Sequence, residues 1–288
     1  MDAPDRSSLP RRASSAPRAR LAQSANELPP LERAFWETLD RGLTRLRLEL
    51  STGVRDALDA HARLLLAWNS HINLTALRDA EAIARGHVID SLLAVSALRA
   101  LAAPRPALLD LGSGPGYPGL PLAVVLPAAR AALVDSVTKK AAFLEVAAGA
   151  VAAALRDAGV EPPDITVLAE RAEDIADEPD GRETWDLVTA RAVGSVAEVA
   201  ELGLPLAHRG GIVVAWKRDT GDGTLEREID AARRIAQACG GGAPRVVELP
   251  GAIDVGLLGH CLVVIEKRRP TPDRYPRPAG ERRRRTVP

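Results

Sequence analysis

The chain has 288 residues, of which 46% are hydrophobic but only 3% aromatic, with 38 basic side chains against 38 acidic ones. This describes a globular protein with an aliphatic core and excludes a low-complexity or collagen-like chain. No apolar stretch reaches membrane-spanning length, the start MDAPDRSSLPRRASSAPRAR lacks a secretory apolar segment, and Cys239 and Cys261 have neither metal-ligand nor CxxC spacing; a cytoplasmic protein without membrane contact or bound metal is expected.

Residues 1–30, rich in Arg, Ser, Ala and Pro, read as a disordered leader. From 31 to 103 apolar residues recur three and four apart, as in LERAFWETLDRGLTRLRLEL and ALDAHARLLLAWN, which predicts a helical N-terminal subdomain. Pro104 and Pro106 break that pattern. Over 104–269 short aliphatic strands then alternate with helical stretches: ALLDL (107–111), AALVD (131–135), DITVLAE (164–170), DLVTAR (186–191) and HRGGIVVAWK (208–217). RVVELP (245–250) and CLVVIEK (261–267) read as a closing hairpin that adds an antiparallel edge strand. The predicted fold is α/β, a Rossmann-like, mostly parallel seven-stranded sheet with helices on both faces. Residues 270–288 form a basic tail. From 267 onward nine Lys/Arg face two acids, residues 1–30 carry +2, and the body from 31 to 266 therefore carries −9. The basic tail reads either as a polyanion contact or as a solvated end.

In such a sheet ligands bind beyond the carboxyl ends of the strands. After the first strand, four glycines fall within eight residues, Gly112, Gly114, Gly116 and Gly119, preceded by Asp110. Glycines so spaced let backbone approach a ligand. From Gly114, GPGYPG also fits the dinucleotide fingerprint G-x-G-x-x-G, so an NAD-dependent oxidoreductase is the competing reading. Asp135, one strand later, suits ribose hydroxyls and equally a helix cap. Arg171-Ala172-Glu173-Asp174 could meet an adenine edge or simply favour a helix N-terminus. Arg191, after the fourth strand, would pair with a carboxylate of protein or cofactor, or touch a substrate phosphate or base. Lys217 has the same two readings. No serine nucleophile elbow, Walker loop, HExxH or paired-cysteine metal site is present.

These five places together resemble the class I S-adenosylmethionine-dependent methyltransferases, with Asp110-Leu111-Gly112-Ser113-Gly114 as their first motif. More narrowly the chain resembles the glucose-inhibited division protein B family of bacterial 16S ribosomal RNA guanine-N7 methyltransferases. The matching stretches are WNSHINLTALRD (68–79), HVIDSLL (87–93), DLGSGPGYPGLPLA (110–123), VDSVTKKAAFL (134–144), RAED (171–174), TARAV (189–193) and TPDRYPRPAG (271–280). The resemblance implies S-adenosylmethionine as cofactor, lined by Gly112, Ser113, Gly114, Gly116 and Tyr117, with Asp135 on the ribose and Ala172 and Glu173 at the adenine. It places Arg191, the one expected catalytic group, between cofactor and substrate. The implied partner is 16S rRNA or the small ribosomal subunit, contacted by Asn73, Thr75, His87, Asp90, Ser91 and Lys217. In the tail, Arg274, Tyr275 and Arg277 would hold phosphates and stack a base. A monomer is expected. Guanine N7 carries a lone pair and no proton, so alignment and no general base would be required.

Overall fold

The computed structural model describes residues 21–284. Helix α1 (Arg33–Leu46) and helix α2 (Thr52–Asn69) open the chain. Ser51 starts α2, its hydroxyl accepting from the Val54 N–H. Helix α3 (Ala80–Ile83) begins on Asp79, whose carboxylate accepts the Ala82 N–H at 2.7 Å. It runs into a π-helical turn, Ala84–Ile89, then into α4 (Asp90–Leu93) and α5 (Val95–Leu101). His87 lies within this turn and Asp90 directly follows it; π-turns inside helices are frequent at functional sites.

Then β1 (Ala107–Leu111), α6 (Gly119–Val125), β2 (Arg130–Val134), α7 (Thr138–Asp157), β3 (Ile165–Leu168), α8 (Ala172–Asp177), β4 (Trp185–Arg191), α9 (Val196–Gly203) and β5 (Ala207–Arg218) alternate as expected. Helix α10 (Thr224–Ala238), β6 (Arg245–Glu248), β7 (His260–Glu266) and α11 (Ala279–Arg284) complete the described chain. The strand order is β3-β2-β1-β4-β5-β7-β6, with β1 to β5 parallel. This is the Rossmann-like, mostly parallel seven-stranded α/β sheet that the strand–helix alternation predicts.

One detail differs. The antiparallel strand is β7, which lies inside the sheet between β5 and β6, so the edge belongs to β6. The burial explains the order, because β7 is buried along Cys261–Ile265 whereas β6 is mostly exposed.

Alternation along the strands divides the core in two. Leu108, Leu187, Val214 and Leu262 face a layer made by the N-terminal helices with α6 and α7. Leu109, Val188, Val213 and Val263 face α8, α9 and α10. Strands covered on both faces read as continuous aliphatic runs, hence ALLDL and IVVAW.

Two expectations about the ends are corrected. Residues 21–30, assigned to the disordered leader, are strapped onto α2. Arg63 donates to the carbonyls of Ala25, Leu28 and Pro29, and the Trp68 indole to that of Ala22 at 2.8 Å. Residues 1–20 lie outside the described residues.

The tail from 271 is likewise fastened. Arg182 binds the carbonyls of Thr271, Pro272 and Tyr275. Lys267, fully buried, bridges Thr271 and Glu183. Arg277 grips both oxygens of buried Glu201, at 2.7 and 2.6 Å.

At the other end of the sequence, α1 closes on Arg47 at φ 52, with Leu48 N–H returning to Leu43 O at 3.0 Å. That left-handed position is ordinarily glycine's, and a side chain there costs about 1 kcal/mol.

Candidate active site

The crevice lies where the glycine turn leaves β1. Gly112, Gly114 and Gly116 have φ of 62, 54 and 83°, all in the left-handed region. A Cβ on Gly112 would come within 2.8 Å of Val193 across the crevice, and one on Gly116 within 2.9 Å of the His61 ring. Asp110 is fully buried beneath the turn. It accepts from Thr189 Oγ1 at 2.7 Å and Gly119 N–H at 3.2 Å, tying β1 to β4 and to the start of α6. Burial outweighs these bonds and raises its carboxyl to about 6.

Asp135 closes β2 with one oxygen on Gly114 N–H (3.0 Å) and the other on Val137 N–H (2.9 Å). It therefore orders the glycine turn and starts α7, while also lining a pocket of about 240 Å³. That pocket collects Gly112, Asp135, Ala172, Glu173 and Val193, which come from four separate strand ends. Its donor set fits a nucleoside: a carboxylate for hydroxyls, backbone and Glu173 for a purine edge, and glycines against which a ligand can lie. The volume falls below the ~300–1,000 Å³ of sites that engulf a drug-sized ligand.

Two residues expected to line the cofactor point elsewhere. Ser113 is buried; its N–H bonds Val134 O and its hydroxyl joins Asp110 O to Val134 N–H, so it clasps β1 to β2. Tyr117 is sandwiched between the rings of His61 (centroids 4.3 Å apart) and His87 (4.7 Å), against the N-terminal helices. Its hydroxyl is buried with no hydrogen-bond partner, and burial pushes its pKa up.

The second half of the crevice centres on Arg191. Its Nη1 donates to Asp90 Oδ2 at 2.8 Å and to Gly86 O at 3.1 Å, and its Nη2 to His87 Nδ1 at 2.6 Å. Arginine has no acceptor, so His87 Nδ1 is bare and the ring proton sits on Nε2, donating to Thr75 Oγ1 at 2.8 Å. Burial, then the neighbouring guanidinium, lowers His87 to about 3 and holds it neutral. The second oxygen of Asp90 meets His260 Nδ1 at 2.7 Å, and its backbone carbonyl accepts from Trp216 Nε1. Although burial raises Asp90, the bonds from His260 and Arg191 bring it below the usual carboxylate range. Ala192, next in the chain, sits at φ 57, a strained position beside the arginine.

Thr75, His87, Asp90 and Arg191 thus converge. Of the other expected substrate contacts, Ser91 is buried and its hydroxyl back-bonds to His87 O at 2.7 Å, while Asn73 is exposed near Arg78. Lys217 bonds Glu228 and Gly194 O, pinning the loop after β4. In the tail, Arg277 is committed to Glu201, and Arg274 is exposed, over the ring of Tyr275 at 5.1 Å.

Three contributors escaped sequence reasoning. Asn69 orders the 69–77 loop through four bonds to backbone. His260 braces Asp90 from 170 residues away. Arg282, in the run RRRR, reaches into the nucleoside pocket and pairs with Glu173 at 2.7 Å. Only WNSHINLT, as a turn-rich stretch after an apolar helix, carried a local signal for the first of them.

A family model for rRNA small subunit methyltransferase G (GidB) matches residues 55–249. Proteins named ribosomal RNA small subunit methyltransferase G align over most of the chain. That of Roseiflexus sp. is 42% identical, covering 77% of this chain and 87% of its own. That of Dehalococcoides mccartyi is 38% identical over 83% and 94%, and that of Deinococcus radiodurans 37% over 85% and 89%. The chain belongs to the rRNA small subunit methyltransferase G family. Within that family the glycine turn, Asp135 and Arg191 with Gly86, His87 and Asp90 lie inside the matched segment, whereas His260, α11 and Arg282 lie beyond it. The dinucleotide reading of GPGYPG finds no support. No helix among the described residues is long and apolar enough to cross a membrane, and no cluster of metal-ligating side chains occurs among them.

Proposed function

We propose that the protein transfers a methyl group from S-adenosylmethionine to N7 of a guanine in a loop of 16S rRNA of the small ribosomal subunit, acting as a cytoplasmic monomer. Asp135, Gly112, Gly114, Ala172 and Glu173 would hold the cofactor, and the helical segment 31–103 would frame the RNA side of the crevice. Bound there, S-adenosylmethionine supplies a methyl group activated on a sulfonium.

The observation that carries the reading is the state of Arg191. Three of its five N–H groups are fixed by Gly86, Asp90 and His87, which leaves Nε–H and one Nη2–H without a partner among the described residues. A guanidinium so braced presents fixed donors that can hold O6 of guanine and orient the base, leaving the in-plane N7 lone pair free to face the methyl group. Beside Arg191, His87 is not available as a base: both its nitrogens are engaged and the ring stays neutral. An acceptor without a proton to lose fits that environment. Positioning is then the main contribution of the protein. N7 lies in the deep, narrow groove of duplex RNA, so the target base is taken from a loop or unstacked.

Calorimetry with S-adenosylmethionine and with NAD, followed by mapping of labelled methyl on 16S RNA and on small subunits, tests the reading. Asp135→Ala should weaken cofactor binding at least tenfold. Binding of NAD alone, or label on an exocyclic amine, overturns it.

A further inference from the structure

On the opposite side of the π-helical turn from Arg191 lies a second concavity, a groove of about 980 Å³ between the end of α1 and the loop joining β6 to β7. Arg41, Arg45, Arg47 and Arg85 line it, with Asp40 and Asp254. Asp40 is taken by Arg55 at 2.7 Å and Arg85 by Glu81 at 2.5 Å. Arg41 meets only the Thr38 hydroxyl, and Arg45 and Arg47 have no acid partner among the described residues. All three are exposed. Three unneutralised cations in seven residues stand out in a body whose net charge is −9. Arg47 moreover occupies the left-handed helix end where glycine would be strain-free, so a side chain is kept at a backbone position that disfavours one. Across the groove, Ile253 and Leu258 are each 65% exposed on the facing loop, apolar surface without a partner in this chain.

We propose that this groove binds the sugar–phosphate backbone of the RNA substrate, the three arginines meeting phosphates and the β6–β7 loop an unstacked base. The proposal rests on the RNA-methyltransferase reading above and extends it to a surface that reading does not use. The groove and the crevice share one wall. Arg85 faces the groove while the adjoining Gly86 and His87 hold Arg191 on the other side. RNA tracking through the groove would therefore arrive at the Arg191 donors. The facing loop ends on His260, which braces Asp90, so both banks of the groove are tied to the same cluster.

The test is the variant Arg41→Gln/Arg45→Gln/Arg47→Gly, which removes three charges and leaves the helix end favourable. Its control is Arg233→Gln/Arg234→Gln on α10, the opposite face of the sheet. Binding to naked 16S RNA and to small subunits is measured from 50 to 200 mM salt, alongside S-adenosylmethionine affinity and methyl transfer. The triple variant should bind RNA about 10- to 100-fold more weakly, with the slope of log K against log salt reduced by about 2, at ~0.7 per lost phosphate contact. KM for RNA should rise with kcat within about twofold, and cofactor affinity should be unchanged. Equal slopes for the triple variant and wild type overturn the groove assignment, as does an equal loss in the α10 control. Weakened binding to subunits with naked RNA unaffected also overturns it, pointing to a ribosomal protein instead. These outcomes are distinct from failure of the functional reading, which would appear as a wild-type protein that methylates no RNA.

Discussion

Replacing Asp90 by Asn isolates what holds Arg191 in place. The carboxylate is buried, touches Arg191 Nη1 at 2.8 Å and His260 Nδ1 at 2.7 Å, and sits 101 and 170 residues from them in sequence. Each bond to a charged group contributes about 1.5–3 kcal/mol, and removing one member of a buried pair costs about 3–5 kcal/mol. Arg191 keeps Gly86 O and His87, and the amide oxygen still accepts one bond, so a loss of about 2–3 kcal/mol is expected at pH 7. The pH dependence has a definite sign. The folded pKa of Asp90 is depressed, so its stabilisation is present above the unfolded value of about 3.9 and is lost as pH falls through the lower folded value. The Asn variant should lose that part of the acid limb. Urea unfolding at pH 7 and pH 3.5, with the m-value checked for constancy, measures both effects. Methyl transfer should fall about 10- to 100-fold as the guanidinium loses its brace, with cofactor affinity within about twofold. Stability within about 0.5 kcal/mol of wild type, together with an unchanged rate, would refute the argument that Asp90 positions Arg191.

Asp110 behaves in the opposite sense. Its folded pKa of about 6 exceeds the unfolded value, so stability rises by about 3 kcal/mol as pH falls from above 6 to about 4, and Asp110→Asn should abolish that rise in the same urea series while changing stability at pH 7 by about 1 kcal/mol or less. Arg282→Ala removes the guanidinium from Glu173 at the mouth of the nucleoside pocket. Stopped-flow binding of S-adenosylmethionine should then show association and dissociation both faster, with Kd within about fivefold; unchanged rates would show that α11 does not limit entry.

Much of the scaffold was legible because parallel strands covered on both faces must be short aliphatic runs, and five of them stand out between helical stretches. Positions 110, 135 and 191 followed from the rule that such sheets bind at their carboxyl ends. Which way a residue near that end points was not legible. Ser113 and Tyr117 lie in the same turn as Gly112, yet one is folded under the sheet and the other stacked between histidines, because turn sequence does not encode which face a neighbouring subdomain will cover. Arg277 was expected on RNA phosphates and Arg282 in a tail that either contacts a polyanion or is solvated, because their acids, Glu201 and Glu173, sit on helices far upstream. The joining of Asp90 to His260 spans 170 residues and has no local signature.

The helices before residue 103 take the place of a layer that the sheet would otherwise need. Phe35, Leu39, Leu58 and Leu92 share one continuous apolar cluster with Leu108, Leu187 and Val214 of the strands. A nominal boundary near Pro104 is therefore a change of secondary structure and not a seam. Expressed alone, a fragment starting there would present a bare apolar sheet face to water and aggregate. Substitutions deep in α1 or α2, remote from any ligand, would loosen the sheet and with it the geometry of the crevice. For engineering, the unit that can be grafted, split or evolved is the whole of 21–284, and sequence drift in the helical part is coupled to drift in the strands it covers.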